Sequence, residues 1–120
     1  MANYTELPVY LKSFNLLDRL YAQSNNWQKD YRYTLGEDLK KALVDVIKNI
    51  YLANSTRDKG QYMQLAREQI EIVRIYARLL HSQKQIPLKD YAPVSKEIEE
   101  ISIQLSKWHE WYLSQKETAC

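Results

Sequence analysis

The segment from Tyr62 to Leu80 repeats its apolar residues with the period of an α-helix along its whole length. At about 100° per residue, one narrow stripe is formed by Tyr62, Ala66, Ile70, Val73, Ala77 and Leu80. A core-facing helix needs a stripe about 100° wide, and this one is widened on one side by Leu65, Ile72, Tyr76 and Leu79. The other side carries a row of Arg67, Arg74 and Arg78. We interpret the segment as a helix that serves a hydrophobic core, a subunit contact and an anionic partner.

Residues that favour turns are scarce, with two glycines and three prolines among 120 residues. An all-β chain of this length would need many more of them, so helices are strongly favoured. The apolar periodicity predicts one domain over residues 1–120, with helices at about 8–24, 27–54, 61–83 and 88–115. Short connections make consecutive long helices antiparallel neighbours. The sequence therefore predicts an all-α, up-down-up-down antiparallel four-helix bundle.

Nothing in the sequence indicates export or membrane insertion. The first ten residues are polar and lack the apolar core of a signal peptide. No uncharged apolar stretch is long enough to span a bilayer. The single cysteine, Cys120, has no partner in the chain for a disulfide. We expect a cytoplasmic protein with no membrane contact.

Enzymatic signatures are missing, and we predict no catalytic residues, no metal site and no cofactor. His81 and His109 lie in different predicted helices without the spacing of a metal site. Acidic residues occur as the adjacent pairs Glu37-Asp38 and Glu99-Glu100. Adjacent side chains on a helix do not face each other, so neither pair converges on one substrate. The chain is predicted not to be an enzyme.

The first predicted helix has an apolar stripe formed by Leu7, Tyr10, Leu11, Phe14, Leu17 and Tyr21. Asp18 falls inside this stripe, and Arg32 falls inside the apolar stripe of the second helix. An antiparallel turn at Asn26 would bring the two side chains to the same level. We predict a buried structural ion pair between them, since a buried charge needs a partner.

Three of the predicted helices carry a second apolar flank outside the core stripe. Contiguous exposed apolar patches mark contacts with partners, so we predict a homo-oligomer. The predicted interface residues are Tyr33, Val44, Ile47, Tyr51, Ile72, Ile75, Leu79, Ile103 and Trp111.

Basic residues suggest an anionic partner, although the net charge is only +2. The candidate contacts with nucleic acid or a polymerase are Arg67, Arg74, Arg78, Lys40, Lys41, Lys48, Arg57, Lys59 and Lys84. Arginine is well suited to bidentate contacts with phosphate. Glu71 interrupts the arginine row, however, and could pair with any of its members. In one subunit a solvated charged face is the simpler interpretation, whereas an oligomer would combine the charges of its copies.

Several motifs resemble a bacterial four-helix-bundle family. They are Leu7-Pro8-Val9-Tyr10, Tyr31-Arg32-Tyr33-Thr34-Leu35-Gly36, Ile50-Tyr51-Leu52-Ala53-Asn54-Ser55, Val73-Arg74-Ile75-Tyr76-Ala77-Arg78-Leu79-Leu80 and Ile103-Gln104-Leu105-Ser106-Lys107-Trp108. The family contains the accessory variability determinant (Avd) protein of diversity-generating retroelements and proteins encoded by intervening sequences in rRNA genes. The resemblance extends over about residues 7–112.

The resemblance implies a non-catalytic bundle that assembles into a five-fold, positively charged homopentamer. In the retroelement members this assembly binds the reverse transcriptase and its template RNA and supports mutagenic cDNA synthesis. By position, Arg74 and Arg78 match the family's arginines of the third helix, and Arg32 matches a motif arginine for which we expect a structural role. Two alternatives stay open: an rRNA intervening-sequence protein with a structural role, and a bundle that binds only protein partners.

Overall fold

The computed structural model describes residues 3–119, and the side chains of residues 3–117. Cys120, on which the disulfide prediction rests, lies outside the described residues. A 3-10 turn at Tyr4–Glu6 precedes the α-helices. These are α1 (Pro8–Ser24), α2 (Lys29–Arg32), α3 (Leu35–Ser55), α4 (Gly60–Ser82) and α5 (Leu88–Ala119). Within the described residues there is no β-strand, which confirms the all-α prediction.

The four long helices enclose one hydrophobic core. Helix α3 packs against α4, α4 against α5, and α1 against both α3 and α5. The resulting four-helix bundle measures 53 × 21 × 19 Å. Its fully buried large side chains are Leu16, Leu20, Leu39, Leu43, Ile50, Met63, Ile70, Leu80, Ile86, Ile98, Ile101 and Leu105. In α4 the buried face follows the predicted stripe from Ala66 to Leu80, with Met63 buried in place of Tyr62.

The predicted core stripe of α1 is only partly right, because Leu7, Tyr10 and Leu17 are half-buried and pack against the core but do not form the buried face of the helix. Its true buried face consists of Val9, Ser13, Leu16, Leu20 and Ser24. Leu11, Phe14 and Tyr21 are about half exposed instead. The helix turns its smaller side chains inward, where α3 and α5 both pack against it. Burial of Ser13 is possible because its hydroxyl donates a hydrogen bond of 2.7 Å to the carbonyl of Val9.

The helix predicted over residues 27–54 is interrupted. Trp27 precedes α2 and is almost completely buried. The chain then leaves the helical conformation at Tyr33 and Thr34 before α3 begins. At Gly36 a Cβ atom would lie 3.0 Å from the Trp27 ring, so only glycine lets the start of α3 approach the indole this closely. Packing around Trp27 therefore divides the predicted helix into α2 and α3.

The predicted ion pair between Asp18 and Arg32 does not form. Asp18 is exposed to solvent. The Nε atom of Arg32 donates to the carbonyl of Ser24 at 3.0 Å. Its Nη2 atom donates to the carbonyls of Asn25 and Trp27, at 2.9 and 3.2 Å. The last carbonyls of a helix have no partner within the helix, and Arg32 supplies that partner to the end of α1.

Helix α4 ends at a backbone hydrogen bond of 2.8 Å from the Gln85 N–H to the Leu80 carbonyl. Lys84 adopts a left-handed conformation with φ of 65°, at the position where glycine is most common. Helix α5 begins at Leu88, as predicted, and contains Pro93 within its length. Among the described residues, no helix has the length and apolar character needed to cross a bilayer.

Candidate nucleic-acid interface

The arginine row of α4 faces α5 rather than open solvent. Arg67 places its Nη1 atom 2.9 Å from Nδ1 of His109 on α5. Arg74 forms an ion pair of 2.8 Å with Glu99, also on α5. Arg78, one turn further along α4, is exposed and has no ion pair within residues 3–117. Two of the three predicted arginines therefore hold the α4–α5 contact together, and one is left free to bind a ligand.

His109 is a buried histidine that must accept a hydrogen bond. The guanidinium of Arg67 can only donate, so Nδ1 of His109 carries no proton when the 2.9 Å contact forms. Burial, and secondly the positive charge of Arg67, lower the pKa of His109. The ring is therefore kept neutral and belongs to the packing between α4 and α5.

Arg74 is further tied down by Glu71. The Nε atom of Arg74 donates to Glu71 at 2.9 Å, and the hydroxyl of Ser102 donates to the same carboxylate at 3.1 Å. The hydrogen bond with Arg74 is the main reason why the pKa of Glu71 is lowered. The same bond is the main reason why the pKa of Arg74 is raised. The sequence left open which arginine of the row Glu71 pairs with, and in the structure it pairs with Arg74.

Two of the predicted lysine contacts are wrong. Lys40 is 6% exposed; its ammonium lies 4.2 Å from the centre of the Tyr21 ring and 3.7 Å from Glu37. The ammonium of Lys59 donates to the carbonyls of Ala53 and Thr56, at 2.8 and 2.9 Å. Lys40 covers apolar surface and Lys59 caps the end of α3. Neither ammonium is available to a phosphate without breaking these contacts.

The remaining predicted cations are exposed and lie at separate places on the bundle. Lys41 and Lys48 lie on α3, Arg57 in the connection to α4, and Lys84 in the turn after α4. Lys84 lies near Arg78 and is followed on α5 by two further exposed lysines, Lys89 and Lys96. We call Arg78, Lys84, Lys89 and Lys96 the basic end. None of these four residues forms an ion pair within residues 3–117.

The sequence argument missed Lys89 and Lys96, although a signal was present. The two lysines are seven residues apart, the same spacing that joins Arg67 to Arg74, and so they share one face of α5. They were overlooked because the negative charge of the last helix as a whole hid a local cluster at its start.

The predicted interface residues are exposed in the single chain, except for the half-buried Ile47. They lie on several sides of the bundle and not in one patch. Tyr51 lies beside α1, with its ring 4.9 Å from that of Tyr4. Ile72, Ile75 and Leu79 follow the outer side of α4, and Val44, Tyr33, Ile103 and Trp111 lie on other helices or links.

An apolar surface lies between α1 and α3, and only its α3 residues, Val44 and Tyr51, were predicted to lie in an interface. It is formed by Leu11, Phe14, Tyr21, Val44 and Tyr51, and we call it the aromatic face. The Tyr10 ring joins it, 5.3 Å from Tyr4 and 6.1 Å from Phe14. The helical spacing of Leu11, Phe14 and Tyr21 was visible in the sequence, but these three residues were assigned to the core of α1.

Within the described residues, no group of three or more His, Cys, Asp or Glu side chains could hold a metal ion. The motif from Tyr31 to Gly36 has a structural use, since Arg32 caps α1 and Gly36 accommodates Trp27. Neither a scan of the chain against protein-family models nor a search of curated proteins finds a match. The resemblance to the Avd family therefore rests on the sequence motifs alone.

Proposed function

We propose that the chain is a non-catalytic accessory subunit of a diversity-generating retroelement that binds a reverse transcriptase and its template RNA. In this role it would support mutagenic cDNA synthesis in the cytoplasm. The observation that carries the proposal is the basic end, where Arg78 and three lysines are exposed and form no ion pair within residues 3–117. Unpaired cations release counterions when they bind phosphates, which is the main source of RNA affinity. The family resemblance supplies the identity of the partners.

We further propose the up-down-up-down topology within each subunit. Pairs of contacts between neighbouring helices support it, because residues later in one helix meet residues earlier in the next. Tyr4 meets Tyr51 whereas Tyr21 meets Lys40. Arg67 meets His109 whereas Arg74 meets Glu99. Opposite directions of consecutive helices account for each of these pairs.

The proposed assembly is a ring-like homo-oligomer, a pentamer by the resemblance. Support comes from the amount of apolar side chain left exposed on a single copy, which includes Ile75 at 63% and Trp111 at 52%. Exposed apolar side chains of this number favour contacts between copies. An oligomer would also bring several basic ends into one molecule and strengthen its positive field. Mass photometry that detects only the 14.3 kDa monomer at micromolar concentration would contradict the assembly.

The function is tested by measuring the affinity of the purified protein for its candidate template RNA over a range of salt concentrations. We expect binding that weakens steeply with salt. Arg78→Ala combined with Lys84→Ala should lower the affinity and reduce the slope of log K against log salt by about 1.4, at about 0.7 per lost phosphate contact. The matched control is Lys29→Ala with Lys107→Ala, at two exposed lysines outside the candidate contacts. Equal effects of both double variants would remove the basic end from the proposal.

A second candidate function is supported by the aromatic face between α1 and α3. Phe14, Tyr21 and Tyr51 are each close to half exposed, and aromatic rings are enriched where proteins bind one another. A protein-binding bundle of the rRNA intervening-sequence type would use such a surface without RNA. Salt-independent behaviour with no RNA affinity, together with capture of a purified polymerase, would favour this candidate over the first.

A further inference from the structure

Two aromatic rings are held in parallel at the end of the bundle that carries the basic end. His81 of α4 and Tyr91 of α5 lie with their ring centres 4.2 Å apart and their planes within 2° of each other. The Nδ1–H of His81 donates a hydrogen bond of 2.7 Å to the carbonyl of Ile86. This bond fixes the orientation of the His81 ring. The stacked His81 ring in turn restrains the orientation of the Tyr91 ring.

Tyr91 also lines a cleft of about 570 Å³ between α4 and α5. His81 covers one face of the tyrosine ring and does not line the cleft. Tyr91 is half-buried: part of its side chain packs against the hydrophobic core, and part of it lines the cleft. Leu88 and Ala92 continue the apolar floor, and Arg74 and Lys96 stand at the sides. The cleft has the volume of an ordinary ligand site.

The charges around this cleft favour an anion. Its two carboxylates are already paired, Glu99 with Arg74 at 2.8 Å and Glu100 with Lys12 at 2.6 Å. The hydrogen bond from Lys12, and to a smaller extent the charge of Lys96, lower the pKa of Glu100. Lys96 forms no ion pair among the described residues, and neither does Arg78, which follows Arg74 by one turn of α4. Lys96 is therefore a cation without an ion pair in the lining of the cleft, and Arg78 lies on α4 one turn beyond Arg74.

We propose that this cleft is a binding site for single-stranded RNA, in which one base stacks on Tyr91 and the neighbouring phosphates contact Lys96 and Arg78. The inference rests on the proposed function and adds to it the location and the mode of binding. Proteins that bind single strands combine a stacking ring with cations that follow the backbone. The His81–Tyr91 pair supplies a ring whose orientation is set before the base arrives, so that little ordering is needed on binding.

The test measures fluorescence anisotropy of a labelled oligoadenylate of about 12 nucleotides, within the site sizes known for such proteins. Tyr91→Leu keeps an apolar side chain and removes the ring, so we expect the affinity to fall roughly fivefold or more. Tyr91→Phe keeps the ring and should bind like the unmodified protein. Leu113→Ala, a change at an exposed apolar side chain of α5 outside the cleft and the predicted interface, is the control and should have no effect.

An abasic oligomer of the same length separates stacking from charge. It presents the same phosphates without bases, so Tyr91→Leu and the unmodified protein should bind it equally. Lys96→Gln should weaken binding of both oligomers and reduce the salt slope by about 0.7. If Tyr91→Leu fails to fold by circular dichroism, the unmodified protein and Lys96→Gln still decide the matter. Equal affinity of the unmodified protein for the two oligomers would overturn the stacking, and unchanged binding in Lys96→Gln would overturn the phosphate contact.

The possible outcomes distinguish the site from the function. RNA binding by the unmodified protein that is unchanged in Tyr91→Leu and in Lys96→Gln would overturn the site and leave the proposed function standing. No RNA binding by the unmodified protein at any salt concentration would overturn both. A loss of affinity in Tyr91→Leu that is equally large for the abasic oligomer would also overturn the stacking mode.

Discussion

Helices α1 and α4 have comparable apolar content, yet sequence periodicity located the core of α4 and misplaced the core of α1. In α4 the arginines occupy one flank, so the remaining apolar stripe has one orientation that buries it. In α1 the residues Val9, Leu16 and Leu20 compete with an almost equally apolar stripe that contains Phe14 and Tyr21. The comparison shows that charge on a helix defines its buried face as much as apolar residues do.

The largest test of this comparison is a pair of substitutions in α1. Leu16 has no exposed surface, and Leu16→Ala should lower the free energy of unfolding by about 2–5 kcal/mol because it leaves a cavity. Phe14 is 50% exposed, and Phe14→Ala should cost about 1 kcal/mol or less. Urea unfolding of both variants measures the difference. A larger loss of stability in Phe14→Ala than in Leu16→Ala would indicate that the stripe predicted from periodicity is the buried face of α1.

The hydrogen bonds that Arg32 donates to carbonyls at the end of α1 provide the next test. Arg32→Ala removes a donor from the carbonyls of Ser24, Asn25 and Trp27, of which Ser24 keeps the 3.2 Å bond from the Trp27 N–H, and we expect a loss of about 2–3 kcal/mol. Asp18→Asn is the control and should change stability by less than about 0.5 kcal/mol, since Asp18 is exposed. Equal losses in urea titrations of the two variants would indicate that the ion pair forms in solution.

The left-handed residue at the end of α4 predicts a smaller change in the free energy of unfolding, of opposite sign. Lys84 holds a left-handed conformation with φ of 65°, which suits glycine better than lysine. Lys84→Gly should raise the free energy of unfolding by about 0.5–1 kcal/mol. Thermal unfolding followed by circular dichroism checks this. Lys84→Ala keeps the Cβ atom and should give no such gain; a gain equal to that of glycine would mean that loss of the charge was responsible.

We expect the smallest change in stability from a change of pH, which acts through His109 where it contacts Arg67 of α4. Burial and Arg67 lower the pKa of His109, so the unfolded chain binds its proton more readily than the folded one. The contribution of His109 to stability is complete above the ordinary histidine pKa of about 6.5 and falls as the pH decreases below it. Urea midpoints between about pH 5 and 8 should show this slope.

His109→Gln provides the control for the pH experiment, because it removes the imidazole of His109 and leaves the other ionisable groups in place. The slope below neutral pH should be flatter in the variant. An identical slope in both proteins would show that the contact between Arg67 and His109 does not hold the imidazole neutral in solution.

The candidate site was predicted less well than the fold. The arginine row of α4 was identified correctly as a row, but the partners of Arg67 and Arg74 lie on α5, far away in sequence. Nothing local distinguishes a paired arginine from a free one. The same is true of Lys40, whose burial depends on Tyr21 of another helix. Of the three arginines, only Arg78 is exposed and without an ion pair within residues 3–117, as a contact with an anionic partner requires.

The sequence by itself determined that the chain is helical, where most of its helices begin and end, and which faces of α3, α4 and α5 are buried. These properties depend on periodicity, on the scarcity of glycine and proline, and on charge within one helix, all of which are local. Only the tertiary structure decided the rotation of α1, the division around Trp27, and which cations stay unpaired. Each of these depends on side chains from two helices meeting, and no pattern within a single helix contains that information.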